Sequence, residues 1–326
     1  MLIDIILIIV GFILLIKGAD FLVDGATGIA KKFKISEMII GLTIVAMGTS
    51  MPEFMVSVTS ALDGHSDLAL GNVVGSNLAN ILLILGICAL ISNILVPKDS
   101  RHIECPLCLI ITAILLAVCM NGGTTKVINQ FEGIVLLLIF VLFLIYIFFN
   151  SKKKTKGIRE ELKSDKEVVV DTSIKTLIIN CLKILIGVLG LKFGADFVTN
   201  NSVNIATILG VSEKIIAVTI VAIGTSLPEL VASVTAIRKG ENDIAVGNII
   251  GSCVFNILLV LGLSSLITPI NYSISYNFDI ILLICVAILL IVTPYIGKNR
   301  HFIEKWEGIL FLILYVIYMI ILIFIR

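Results

Sequence analysis

Residues 43–86 and 219–262 of this 326-residue chain are identical at 25 of 44 positions, at a constant offset of 176. The shared text includes Gly48-Thr49-Ser50-Met51-Pro52-Glu53 against Gly224-Thr225-Ser226-Leu227-Pro228-Glu229. It also includes Gly71-Asn72-Val73-Val74-Gly75-Ser76 against Gly247-Asn248-Ile249-Ile250-Gly251-Ser252, with Asn80 matching Asn256. Weaker echoes flank these: Gly18-Ala19-Asp20 with Gly194-Ala195-Asp196, Ser36-Glu37 with Ser212-Glu213, and Glu132-Gly133 with Glu307-Gly308 at offset 175. Whatever the first half builds, the second half builds again.

Composition says in which solvent. The chain is 58% hydrophobic and 14% charged, with a mean hydropathy of +1.13; a soluble domain carries about 25% charged residues. The apolar residues fall in blocks of roughly 20, enough for a helix to cross a hydrocarbon core. The runs are continuous, not alternating, which disfavours a β-barrel. The sequence therefore predicts an all-α polytopic membrane protein with ten transmembrane helices, over 3–24, 37–61, 68–91, 104–120, 131–150, 176–198, 213–237, 244–268, 277–296 and 303–325. The first apolar stretch is too long for a signal-peptide core and lacks a basic start and a small-residue cleavage site. Each copy has five helices, an odd number, so the second must insert upside down. The expected organisation is two inverted repeats, 1–150 and 176–326, joined by a linker loop over 151–175. Inverted repeats are a transporter architecture, with substrate held near the midplane where the copies meet.

Alternate loops divide by charge. One set holds 18 of the 24 lysines and arginines: Lys31, Lys32, Lys34, Lys98, Arg101, eight from Lys152 to Lys175, Arg238, Lys239, Lys298, Arg300 and Lys305. The other set holds Lys126, Lys214 and Arg326. Basic loops stay in the cytoplasm. The expectation is a multi-pass plasma-membrane protein with 151–175 cytoplasmic and both termini extracellular. With a net charge of +1, nothing calls for a nucleic-acid partner; the lipid bilayer is the one partner implied.

Glu53 and Glu229 sit inside apolar helices, where an ionised carboxylate is expensive unless something positive joins it. A divalent cation such as calcium, which takes six to eight oxygen ligands, meets that need; a proton shared between the two is the other solution. Thr49 and Ser50 lie four and three residues before Glu53, on one helical face, and Thr225 and Ser226 repeat this before Glu229. Pro52 and Pro228 should break each helix and free carbonyls near Ala46 and Ala222 to point at an ion. On the next helix of each copy, Ser76 with Asn80 and Ser252 with Asn256 form polar stripes, while Gly71-xxx-Gly75 and Gly247-xxx-Gly251 permit close helix approach. The donor set is all oxygen, without His, a Cys pair or Lys, which fits Na⁺ and Ca²⁺ better than zinc or copper. No cofactor is expected.

Other residues have plain readings. The seven cysteines, Cys105-Pro-Leu-Cys108 included, read as small hydrophobes in helices. His65, His102 and His301 fall in loops. Ser36 and Ser212 look like helix N-caps, Asp67 and Asp243 favour helix starts, and Asp20 and Asp196 fall near helix ends on the basic side.

The doubled Gly-Thr-Ser-x-Pro-Glu, each copy followed by Gly-Asn-x-x-Gly-Ser, resembles the sodium/calcium exchangers of the calcium/cation antiporter superfamily, over nearly the whole chain. The resemblance implies a secondary active antiporter that exchanges Na⁺ for Ca²⁺ by alternating access, with four ion sites between helices 2, 3, 7 and 8. It makes Glu53 and Glu229 the shared central ligands, with oxygens from Thr49, Ser50, Thr225 and Ser226 and carbonyls from Ala46 and Ala222. Ser76 and Ser252 would complete outer sodium sites, and Asn80 and Asn256 would flank the centre. The first and sixth helices, 3–24 and 176–198, would slide to switch access. One departure stands out: archaeal and potassium-dependent exchangers often carry Asp at the position of Asn256, so Asn here speaks against potassium co-transport. The proton-coupled branch usually has Gly-Asn-x-x-Glu in place of Gly-Thr-Ser-x-Pro-Glu, and the absence of that text here favours sodium coupling; the alternative is a proton/calcium or potassium-dependent sodium/calcium antiporter, ahead of a calcium channel or an intramembrane aspartyl protease. Nothing in the sequence points to an enzyme.

Overall fold

The computed structural model describes residues 1–64, 66–120, 127–161, 173–211, 216–273 and 276–324. The first half is α1 (Leu2–Phe33), a bent pair α2 (Glu37–Thr49) and α3 (Met51–Leu62), then α4 (Leu68–Ile91), α5 (Ser100–Met120) and α6 (Gln130–Phe149). The second is α7 (Ile174–Ile208), a bent pair α8 (Thr219–Thr225) and α9 (Leu227–Arg238), then α10 (Asn242–Ile267), α11 (Tyr276–Ile296) and α12 (Lys305–Phe324). Among the described residues, eight helices are each long and apolar enough to cross a bilayer, and ten spans result if each bent pair counts as one.

Two helices are longer than hydropathy predicts. α1 runs to Phe33 and α7 to Ile208, through the polar stretches Asp20–Lys32 and Asn200–Asn204. α6 also continues as helix to Glu161, into the stretch expected as linker. Asp20 and Asp196 therefore lie inside their helices and not near the ends, and inversion puts them toward opposite faces. Of the residues singled out near helix ends and in loops, His65, Lys126, Ser212, Glu213, Lys214 and Arg326 lie outside the described residues.

Four two-residue strands prove the inversion. β1 (Ile94–Leu95) pairs antiparallel with β4 (Phe302–Ile303), and β2 (Val127–Ile128) pairs with β3 (Ile270–Asn271). At the repeat offsets β1 corresponds to β3 and β2 to β4, and the registers Ile94↔Ile303 and Ile270↔Ile128 are images of one another. One pair lies among the lysine-rich loops, here called the basic face; its image caps the opposite face. Around the basic face Lys239 Nζ reaches Asp24 at 2.7 Å and Asp20 at 3.1 Å, so the α9–α10 turn is fastened to α1.

The apolar windows of α10 and α4 are 94% and 72% buried, against 22% for α1 and 17% for α7. α4 and α10 are thus the core, and α1 and α7 form an outer layer that leaves large side chains such as Ile9, Ile13, Leu182 and Leu185 facing lipid. α1 and α7 pack on each other through glycine: a Cβ on Gly18 would sit 2.7 Å from the Leu191 nitrogen, and one on Gly187 would sit 2.6 Å from that of Leu22. Small residues let membrane helices approach to backbone contact.

The Gly-x-x-x-Gly expectation holds in one copy only. Cβ atoms on Gly247 and Gly251 would strike the Met38 and Leu42 carbonyls at 2.6 and 2.7 Å, so α10 lies tight on α2. In the other copy a Cβ on Gly71 would meet only the Tyr276 side chain, at 3.2 Å, and one on Gly75 would meet nothing within 4 Å. The two halves share a fold but hold their bent helices differently against the core.

Smaller expectations resolve simply. The Ser36 hydroxyl caps α2 by accepting from the Ile39 N–H at 3.4 Å. Glu132 and Glu307, the offset-175 echo, each reach back to an N–H three residues earlier, at Asn129 (2.8 Å) and Glu304 (2.7 Å), as in a capping box. Cys105 and Cys108 are buried free thiols. The His301 ring contacts Arg101 and packs edge-on against Tyr295.

Candidate functional site

Both bent pairs break where the proline motif predicts. Pro52 and Pro228 occupy the first turn of α3 and α9, where a missing N–H does no harm. The residue at each joint, Ser50 (φ −79°, ψ 8°) and Ser226 (φ −87°, ψ 3°), leaves helical geometry. The helix directions change by 48° and 51°. Glu53 and Glu229 follow in the first turn of α3 and α9, both 1% exposed. Each carboxylate thus sits at the N-terminal end of a half-helix, whose dipole favours negative charge.

The two copies exchange hydrogen bonds at this point. The Ser50 hydroxyl donates to Glu229 Oε1 at 2.8 Å, and the Ser226 hydroxyl to Glu53 Oε1 at 3.4 Å. Ser76 on α4 adds a donor to Glu53 Oε1 at 3.5 Å. Thr225 also faces the Glu53 carboxylate, and Thr49 and Ser252 face that of Glu229. The glutamates therefore converge on one pocket at the repeat interface. Among the described residues no lysine or arginine pairs with either.

The second carboxylate oxygens, Glu53 Oε2 and Glu229 Oε2, are buried without a hydrogen-bond partner, as are Asn80 Oδ1, Asn256 Oδ1 and Ser252 Oγ. Buried polar atoms are normally satisfied, and here five orphaned oxygens belong to residues the sequence assigned to one site. Three of the five are neutral amide or hydroxyl oxygens. Among the described residues there is no cluster of three His, Cys, Asp or Glu side chains suited to a metal; this site has two carboxylates and draws its remaining oxygens from Ser, Thr and Asn. Oxygen-only donor sets of that kind suit Na⁺ and Ca²⁺.

The carbonyl expectation needs a correction at Ala46. Its oxygen accepts from the Ser50 N–H at 3.0 Å and from the Thr49 hydroxyl at 3.3 Å, so the break does not leave it bare. At the second joint the Ser226 N–H turns instead to Ile223, at 3.1 Å, and the Ala222 oxygen accepts only the Thr225 hydroxyl, at 3.3 Å, among the bonds seen there.

Sequence reading missed the two asparagines that hold the pocket in shape. Asn248 Nδ2 donates to the Ser233 hydroxyl at 3.0 Å and to the Glu229 carbonyl at 3.5 Å, while its Oδ1 accepts from Thr49 across the repeat interface at 3.0 Å. Asn72 repeats the first two bonds, to Ser57 at 3.0 Å and the Glu53 carbonyl at 3.2 Å. The signal was the Gly-Asn text itself, present in both copies. Asn77, which has no polar counterpart at Cys253, accepts from Asn256 Nδ2 at 3.1 Å and donates to the Cys253 carbonyl at 3.2 Å. Also missed were five π-helical turns among the described residues; one, Ser100–Glu104, opens α5 away from the pocket, and the other four are Gly41–Val45, Ala79–Ile84, Ala217–Val221 and Asn256–Val260. Each of these four adjoins a site residue, either just before Ala46 or Ala222 or beginning at or beside Asn80 and Asn256; such turns concentrate at functional sites.

Access differs between the two halves of the site. A cavity of about 530 Å³ opens toward the face opposite the basic one and reaches inward along Asp196, Thr199 and Pro52 to Gly224 and Thr225. Thr225 is 7% exposed, whereas its counterpart Thr49 is 0%. On that closed side a Cβ on Gly48 would lie 2.6 Å from Val188 of α7.

A family model described as sodium/calcium exchanger protein matches residues 3–149 and 180–324. Among similar curated proteins, a putative antiporter CaxA of Alkalimonas amylolytica is 38% identical over 98% of both chains. The sodium/calcium exchanger MaX1 of Methanosarcina acetivorans is 32% identical over 99% of both chains, and the inner membrane protein YrbG of Escherichia coli is 37% identical over 87% of both. Among solved structures, the sodium-calcium exchanger NCX_Mj soaked with 10 mM Na⁺ and 10 mM Sr²⁺ superposes with a TM-score of 0.82, at 29% identity, over 97% of each chain.

Proposed function

The chain belongs to the sodium/calcium exchanger family, and on that premise we propose that it exchanges Na⁺ for Ca²⁺ across a membrane through the pocket between Glu53 and Glu229. The supporting observation is the reciprocal bonding of Ser50 to Glu229 and of Ser226 to Glu53, beside five orphaned buried oxygens. Glu53 and Glu229 are the central ligands. Thr49, Ser50, Thr225, Ser226, Ser76 and Ser252 supply hydroxyls, Asn80 and Asn256 amide oxygens, and Ala222 a carbonyl. One Ca²⁺ neutralises both carboxylates; Na⁺ ions spread over the same oxygens do so in turn. Occupancy is therefore mutually exclusive, which is what couples the two fluxes.

Alternating access follows from the layering. α1 and α7 cover the pocket as an outer pair, and shifting that pair across the α4–α10 core would close the cavity at Thr225 and open the way past Val188 to Thr49. The protein is read as a transporter and not an enzyme. We place the basic face in the cytoplasm, from its lysines and arginines, and so the cavity and both termini outside the cell. Asn256, a neutral side chain, supports a cycle without K⁺.

The test is isotopic calcium uptake into proteoliposomes with Na⁺, K⁺ and H⁺ gradients imposed singly. A sodium gradient alone should drive saturable uptake. Uptake driven by a pH jump in sodium-free medium would assign a proton/calcium antiporter instead, and fast non-saturating flux without any gradient of a second ion would assign a channel.

A further inference from the structure

On the basic face a second cavity, of about 540 Å³, lies between α1 and α7 under the α9–α10 turn. It is distant from the ion pocket in the fold and shares no residue with it. Four lysines line it: Lys31 and Lys32 from α1, Lys183 from α7, and Lys239 from the turn. The acids Asp24 and Glu241 are there too, but they are engaged. Asp24 holds Lys239 at 2.7 Å, and Glu241 lies 4.0 Å from Lys31. Among the described residues Lys32 bonds only a backbone carbonyl, that of Ser173. Lys183, half-buried, makes no ion pair or hydrogen bond with any described residue.

That leaves two cations, one from each outer helix, facing a shared cavity without an ion-pair partner among the described residues. A lysine nine residues into an apolar helix is costly to keep without a partner. What surrounds it is lipid-facing. Ile179 and Ile186, four residues before and three after Lys183 and so beside it on the helix surface, are 44% and 52% exposed. Lysines above an apolar flank match a molecule with an anionic head and hydrocarbon tails. At the repeat-related position on the opposite face Lys183 is replaced by Leu7, Lys32 by Ile208 and Lys239 by Asp63, so the feature belongs to one leaflet only. Basic pockets between membrane helices on the cytoplasmic side are a known way of holding anionic lipid headgroups.

We propose that this cavity is a binding site for the phosphate headgroup of an anionic phospholipid, held by Lys32 and Lys183 with its acyl chains along Ile179 and Ile186. The headgroup bridges α1 and α7 beside the turn that Lys239 already ties to α1, and so stabilises the arrangement in which the basic face is closed. The inference does not depend on which ions the central pocket carries.

The test is lipid retention and not transport. The full chain is reconstituted in phosphatidylcholine with and without phosphatidylglycerol, extracted in mild detergent, and its retained lipid quantified by mass spectrometry. The native protein should retain phosphatidylglycerol in excess of the bulk ratio. Lys183→Gln and Lys32→Gln should each lower that excess about five-fold, leaving phosphatidylcholine unchanged. Lys98→Gln, on the same face but outside the cavity, should leave the excess intact. Equal retention in the native protein and the Lys183 and Lys32 variants would overturn the proposal, as would an equal loss in Lys98→Gln. Displacement of the lipid by inorganic phosphate alone would show a site for free anion, and would overturn the lipid assignment.

Discussion

The hydroxyl of Ser50, from the first half, donates to Glu229 of the second at 2.8 Å, whereas the mirror bond from Ser226 to Glu53 measures 3.4 Å. The shorter bond belongs to the joint that is sealed; the longer one belongs to α8–α9, where Thr225 meets the open cavity. Each half thus supplies a donor to the other's carboxylate. Movement of either bent pair changes the ligands of both glutamates at once.

Replacing either carboxylate tests the pocket most directly. Glu53→Gln and Glu229→Gln should each abolish sodium-driven calcium flux. Losing one member of a buried charge constellation costs about 3 kcal/mol, roughly two orders of magnitude in calcium affinity. Isothermal titration of the detergent-solubilised variants, with flux in vesicles beside it, checks this; native calcium affinity in either variant would remove that residue from the site.

The serine donors should not be equivalent. Hydrogen bonds to charged groups contribute about 1.5–3 kcal/mol, and the 2.8 Å bond is the stronger of the pair. Ser50→Ala should therefore weaken calcium binding at least ten-fold, and Ser226→Ala less. The order is read from calcium titrations of the two variants side by side, and a reversed order would contradict the geometry.

Asn256→Asp probes the one departure from the acidic version of the motif. Asn256 Nδ2 donates to Asn77 Oδ1 at 3.1 Å, and its own Oδ1 has no partner. An aspartate loses that donor and sets a carboxylate oxygen against Asn77, a penalty of about 1–3 kcal/mol unless a cation compensates. The variant should melt lower than the native protein in ion-free buffer and regain more of its stability on adding Ca²⁺ or K⁺. Thermal unfolding with each ion gives the answer; identical ion dependence would mean this oxygen does not face the ions.

Lys239 offers a prediction about pH. Burial alone would lower its ammonium, but Asp24 and Asp20 outweigh burial and raise it above the ordinary 10.5. A raised lysine contributes its full stabilisation below the unfolded value and loses it only as pH climbs through the folded one. The tie between α1 and the α9–α10 turn should thus be constant through the neutral range and weaken only in strong alkali. Because the groups are partly exposed, Lys239→Gln should shift the balance between access states about two-fold. Sodium-driven flux of that variant relative to native, followed with pH, should give a flat ratio at neutral pH; a ratio that varies there would assign the effect to another group.

The ten spans, the inversion and the glutamate pair were legible because each leaves a local signature: apolar length, loop charge, and repeated motif text. The lengths of α1 and α7 were not. Hydropathy falls at Asp24 and at Asn200, yet the helices continue because Asp24 finds Lys239 and Asn201 bonds back to the Phe197 carbonyl at 2.7 Å. Nor could sequence give the π-helical turns, which depend on how the bent helices seat against the core. Asn72 and Asn248 were quoted within the motif, but their role as braces depends on Ser57 and Ser233 facing them from another helix. Gly75 escaped for the opposite reason. Its partner helix stands away in this state, so identical text in the two copies packs differently.

The Lys239 fastening has no twin. Carried through the pseudo-two-fold axis, Lys239 becomes Asp63 and its partners Asp20 and Asp24 become Asp196 and Asn200. One face carries a latch; the residues at the corresponding positions of the other, two acids and an amide, include no cation to make one. Such a molecule should not idle evenly between its two shapes: even with identical solutions on both sides it is expected to dwell longer with the latched side shut, its forward and reverse strokes climbing hills of different height.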